Sequence, residues 1–152
     1  MSGPNVMCLQ PKSAPGCETI IEAIENGATT HGFAVRPHLE RREFIGLLKR
    51  LASDGGVLVG NSSAGLIEAS ALRLPVVDIG PRQNGRECPP NVIRCSPTEG
   101  RGAAESAMRR AMRLDLSSLS HPYGDGRAGE RIARVLAGEH DSARLLRTRR
   151  VY

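Results

Sequence analysis

Between Gly55 and Glu87 the chain reads GGVLVGNSSAGLIEASALRLPVVDIGPRQNGRE, a stretch whose residue types suit a phosphorylated ligand. An apolar run (Val57, Leu58, Val59) ends in Gly60-Asn61-Ser62-Ser63-Ala64-Gly65. Serine hydroxyls where a helix begins can cap backbone N–H groups or donate to a phosphate, and the positive end of the helix dipole favours an anion. Gly60 and Gly65 would let the backbone turn and approach a ligand closely. Glu68 follows five residues after Ser63. A phosphate would repel it, but it suits the hydroxyls of a ribose one step away. Arg82 and Arg86 lie in Gly80-Pro81-Arg82-Gln83-Asn84-Gly85-Arg86, after a second apolar run. A planar guanidinium fork can hold two phosphate oxygens at once. Each residue also has a plain structural reading: an N-cap, packing glycines, a solvent-facing glutamate, surface arginines. Together, Ser62, Ser63, Gly65, Glu68 and Arg82 suggest a nucleotide-diphosphate half-site, with Asn61 and Arg86 as further candidates.

These residues need a sheet edge to meet on. Hydrophobic periodicity predicts strands at Val6–Leu9, Thr30–Val35, 56–59, 75–79 and Val92–Cys95. It predicts helices at Glu18–Asn26 (stopped by Gly27), Glu40–Ser53, 64–73, Arg101–Arg113 and Arg127–Ala137. The last helix should turn Ile132, Val135 and Leu136 inward. Alternating strands and helices imply right-handed crossovers and a parallel sheet. The fold class expected is therefore α/β, a Rossmann-like parallel sheet with helices on both faces. Both candidate loops would then open at the carboxyl ends of neighbouring strands, where such sheets bind ligands. The dinucleotide fingerprint G-x-G-x-x-G is absent. Residues 1–137 read as one domain and 138–152 as a basic, flexible tail.

The net charge of +5 rests on 19 arginines and two lysines, Lys12 and Lys49. Only four aromatic residues occur (Phe33, Phe44, Tyr123, Tyr152), too few for a stacking platform, so a nucleic-acid partner is not expected. Cys8, Cys17, Cys88 and Cys95 have neither C-x-x-C nor zinc-ligand spacing, and reduced, partly buried thiols are expected. No metal and no cofactor are anticipated. His31, His38, His121 and His140 read as ordinary surface or loop residues. Without a long apolar run or an apolar leader, no membrane partner is expected and the cytoplasm is the expected compartment.

GNSSAGLIEA followed by P-V-V-D-I-G-P-R-Q-N-G-R closely resembles the C-terminal domain of UDP-N-acetylglucosamine 2-epimerases, including their hydrolysing branch. The motifs of that family read G-N-S-S-x-G-x-x-E and N-x-G-x-R-Q-x-G-R. The stretch His121-Pro122-Tyr123-Gly124-Asp125-Gly126-Arg127 is similar to the family's P-Y-G-D-G element. The likeness spans approximately residues 5–137. It implies part of the C-terminal half of a two-domain GT-B-type fold, with UDP or a UDP-N-acetylhexosamine as ligand. Ser62 and Ser63 would bind the diphosphate, Glu68 the ribose and Arg82 the phosphates. Tyr123 and Asp125 are further candidates, and Asp125 could instead cap the last helix.

The chain departs from the family's P-N-x-D-A-G segment at Lys12 and Ala14. The resemblance also implies that the family's N-terminal domain, with its acid–base carboxylates, and the first strand of this domain are missing. No catalytic residue is therefore assigned, and the chain alone is expected to be inactive. An exposed sheet edge, self-association or a partner supplying the missing domain would follow. The alternatives are a non-catalytic nucleotide-sugar-binding or assembly module, and half of a GT-B glycosyltransferase. The R-Q-x-G-R loop favours the epimerases.

Overall fold

The computed structural model describes residues 6–11 and 16–138, apart from the side chain of Arg101. The Lys12 and Ala14 departures, His140 and the tail expected at 138–152 (save Gly138) lie outside them. The architecture is α/β and Rossmann-like, with every strand pair parallel. Among the described residues the strands form a two-stranded and a three-stranded sheet, in compact units that divide after Asp54.

In the first unit, β1 (Met7–Leu9) pairs with β2 (Ala34–Arg36) through α1 (Cys17–His31). α1 overruns the predicted stop at Gly27 and absorbs the start of the predicted strand. Thr29 and Thr30 settle in the helix because their hydroxyls donate to Glu25 O and Asn26 O at 3.0 and 2.8 Å. Gly27 instead makes room for Phe33, whose ring would lie 3.2 Å from an added Cβ. The real stop is Gly32, whose φ of 71° a side chain would resist and whose N–H bonds to Ala28 O. α2 (Arg41–Ser53) begins with a capping box between Glu40 and Glu43, close to prediction.

The second unit carries the candidate site. β3 (Leu58–Gly60), β4 (Val76–Ile79) and β5 (Val92–Cys95) lie in the order β3-β4-β5. Gly60, Asp78 and Arg94 fall side by side across the three strands. Strand alternation sends Val77 to one face, where it joins Cys95 and, from α4 (Arg101–Ala111), Ala107 and Ala111. The other face meets the segment after β3, where Val76 packs against Gly65. A Cβ on Gly65 would lie 2.8 Å from Val76 Cγ1, so Gly65 answers a packing demand. Gly65→Ala should therefore lose about 1–3 kcal/mol of stability by overpacking, measurable by urea denaturation.

Two helices differ from expectation. The continuous helix predicted at 64–73 is a 3-10 turn at Ser63–Gly65 followed by a single α turn, α3 (Glu68–Ala71). The last helix, α5 (Ala128–Ala137), forms, but none of its residues is buried. Ile132, Val135 and Leu136 are 59%, 49% and 75% exposed, so the expected inward face is uncovered among the described residues. No helix among the described residues is long and apolar enough to cross a membrane.

Candidate functional site

The serine turn leaves β3 at Gly60. Ser62 is extended, and its Oγ accepts the Ala64 N–H at 3.3 Å. The hydroxyl proton remains available to an incoming oxygen. Ser63 O accepts the N–H groups of both Leu66 and Ile67, which closes the turn. Because α3 is one turn long, no extended helix dipole stands behind the serines. Binding of an anion here would rest on hydroxyls, backbone N–H groups and arginine. Glu68 opens α3 and is half-buried.

The second loop begins at Gly80, whose φ of 86° swings the chain out of β4 into a 3-10 turn at Pro81–Gln83. This turn is bonded to the serine turn across more than twenty residues of sequence. Gln83 Nε2 donates to Asn61 O at 2.7 Å, and Arg82 Nη1 lies 3.5 Å from Asn61 O and 3.4 Å from Asn61 Oδ1. Ser62, Ser63, Asn61 and Arg82 therefore share the carboxyl rim of β3 and β4. Arg86 is exposed in the same loop. Arg94 supports that loop from β5, its Nη2 reaching Gln83 O at 3.4 Å and Arg86 O at 3.5 Å.

The loop before α5 clasps both segments. His121 Nε2 lies 2.9 Å from Ile67 O and its Nδ1 3.2 Å from Gly124 O, so whichever nitrogen carries hydrogen donates to a carbonyl. His121 is thus half-buried in its loop, as a loop histidine, and ties two backbone segments together. Tyr123 stacks edge-on against it at 5.6 Å, and the Tyr123 hydroxyl donates to Glu87 O at 3.4 Å. Tyr123 thus reaches the arginine loop. Asp125 does not join it: its carboxylate takes a two-point grip from Arg131 at 2.7 and 2.8 Å and the Arg127 N–H at 3.1 Å. Those bonds, the Arg131 pair foremost, hold the Asp125 carboxyl below its ordinary range.

Sequence reasoning missed the buried polar residues beneath the site. Asp78 is 1% exposed, and neither carboxylate oxygen has a hydrogen-bond partner among the described residues. Burial pushes its pKa up, and the nearby Arg94 guanidinium partly opposes that. Asn91 is fully buried and donates from Nδ2 to Leu74 O at 2.8 Å and Gly65 O at 3.4 Å. The available signal was a polar residue inside or beside an apolar run: Asp78 within V-V-D-I, and Asn91 just before Val92-Ile93. None of the four cysteines is in a disulfide; Cys95 is buried and Cys88 exposed.

A parallel α/β unit whose hydroxyl turn and arginine loop are bonded at one strand rim is a domain suited to holding an anionic ligand. The chain belongs to the UDP-N-acetylglucosamine 2-epimerase family, whose model matches residues 2–137. It is 37% identical over 131 residues to a hydrolysing UDP-N,N'-diacetylbacillosamine 2-epimerase of Legionella pneumophila, covering 86% of this chain and 33% of that protein. It is 31% identical over 93 residues to a UDP-N-acetylglucosamine 2-epimerase of Neisseria meningitidis, covering 61% of this chain and 23% of that protein. The chain thus spans a third or less of the length of these relatives.

Proposed function

We propose that this chain holds the uridine-diphosphate end of a UDP-N-acetylhexosamine, as the nucleotide-gripping part of a two-domain GT-B-type enzyme. Ser62 and Ser63 donate to the diphosphate, Arg82 offers its fork to the phosphate oxygens, and Glu68 accepts from the ribose hydroxyls. Asn61, Arg86 and Tyr123 line the approach. Gly65 completes the nucleotide-binding set, its lack of a side chain letting the serine turn pack on Val76 while its backbone faces the ligand's approach. The observation that carries the reading is the bonding of Asn61 to Arg82 and Gln83, which puts hydroxyls and a guanidinium on one rim. The family membership and the names of the two relatives support the choice of nucleotide sugar over other anions.

Inversion at the sugar's C2 needs an acid–base pair flanking that carbon, and no such pair is assigned to these residues. The chain is therefore proposed to bind without turning over, in the cytoplasm, beside a second copy or a partner that supplies the proton transfers. Calorimetry with UDP tests this. The chain should bind UDP, Arg82→Ala should weaken binding about tenfold or more, and Glu68→Ala should weaken it more modestly. Equal affinity in wild type and both variants would show that the nucleotide sits elsewhere. Epimerase or hydrolase turnover by the chain alone would reveal an acid–base pair within it.

A further inference from the structure

A depression of about 540 Å³ opens beside the carboxyl end of α3, with Ser70, Arg73, Ser120, His121, Asp125 and Arg131 in its lining. Its lining shares no residue with the serine turn or the arginine loop, although Tyr123, stacked on its His121 wall, reaches Glu87 O. Arg73 precedes the first residue of β4, so the Arg73 wall lies towards the amino end of that strand, whereas the serine turn and arginine loop leave the carboxyl ends.

Arg73 has a backbone conformation that its residue type does not favour. Its φ is 53°, and it is the one non-glycine residue at positive φ among the described residues. It follows Leu72, the C-cap of α3, in a helix-ending pattern closed by Arg73 N–H to Ser70 O at 3.1 Å and Leu74 N–H to Ala69 O at 2.9 Å. Glycine is the usual occupant of such a position, and arginine there carries strain that glycine would avoid. The side chain gains no compensating bond, for its guanidinium is exposed and has no partner among the described residues.

The facing wall is built and electrically balanced. The Asp125 carboxylate is neutralised by Arg131 and further satisfied by the Arg127 N–H. Arg131 uses two of its five N–H groups on Asp125, which leaves donors to spare. Ser120 adds an exposed hydroxyl. His121 and Ser70 are spent on backbone carbonyls and serve as wall. The charged lining is therefore net positive, with Arg73 as its uncompensated charge.

We propose that this depression is a second anion site, taking a phosphate or carboxylate group, in which Arg73 supplies the free charge and Arg131 and Ser120 the flanking donors. The strained arginine is then explained by what its side chain binds. The site does not depend on the nucleotide reading.

The test titrates the full chain carrying Arg82→Ala, which removes the proposed nucleotide-site arginine, with inorganic phosphate and separately with citrate at low salt. Amide and guanidinium NMR signals of Ser120, Gly124 and Arg131 should shift with at least one of the two anions, and the preferred anion identifies the group recognised. Adding Arg73→Gly should weaken that binding about tenfold or more. The same substitution should leave Tm unchanged or raise it by about 2–4 °C, because glycine relaxes the positive φ. Lost binding in a protein at least as stable cannot be blamed on unfolding. Undiminished affinity in the glycine variant, shifts confined to residues 61–65 and 80–86, or no binding of either anion would overturn the proposal.

Discussion

Asn91→Ala is expected to lose about 2–4 kcal/mol of folding stability, a fall of about 4–16 °C in Tm. Asn91 is 0% exposed, and its amide donates to Leu74 O and Gly65 O. Those carbonyls belong to the segment entering β4 and to the 3-10 turn behind the serines. Truncation leaves two buried acceptors without a donor and a cavity beside them, each a recognised source of large losses. Asn91 Oδ1 has no partner among the described residues, so its removal offsets part of the loss. Asn91→Asp should be at least as damaging, since it removes the donors and adds a buried charge. Urea denaturation of both variants decides the matter, and a loss below about 0.5 kcal/mol for the alanine would mean that the amide holds nothing together.

Asp78→Asn should have the opposite sign and raise stability at pH 7 by about 1–2 kcal/mol. The wild-type carboxylate is buried with neither oxygen hydrogen-bonded among the described residues, and burial raises its pKa despite the nearby Arg94. A carboxyl with a raised folded-state pKa holds its proton more tightly in the native protein than in the unfolded chain. Its contribution is fully favourable below the unfolded value, near 3.8, and is lost as pH rises through the folded value. Asparagine removes this liability, and it is also the residue that the family's N-x-G-x-R-Q motif carries at this place. The gap between variant and wild type should therefore shrink as pH falls from 7 towards the ordinary carboxylate range. Asp115 and Asp125 run the other way: hydrogen bonds hold their pKa values down, so their contribution is lost in acid. The informative quantity is thus the variant-minus-wild-type difference at each pH, and a constant difference would refute a raised pKa at Asp78.

Much of this architecture could be read in advance because its signals are local. β5 was expected at Val92–Cys95 and forms there, and α2 departs from its expected range by one residue. An apolar run of strand length, or an apolar stripe with a capping glutamate, is decided largely by its own residues. Misreadings arose where a distant contact overrode a local preference. Gly27 reads as a helix stop, yet Phe33 returns to pack on it and the helix continues. Serine and glycine at 62–65 read as a helix start, but the packing of Gly65 on Val76 accompanies a tighter turn.

By itself the sequence determined the alternation of strands and helices, the family to which the chain belongs, and the two polar loops suited to an anion. These follow from residue periodicity and from motif spacing, both written along one dimension. Only the tertiary structure decided that Asn61 meets Arg82 and Gln83, that Asp78 and Asn91 are buried, and that His121 is a structural clasp. Among the described residues it also left the apolar side of α5 open. Each of these depends on which surface a side chain meets and whether water can reach it, and pairing across twenty to fifty residues is set by the packed sheet rather than by neighbours in the chain.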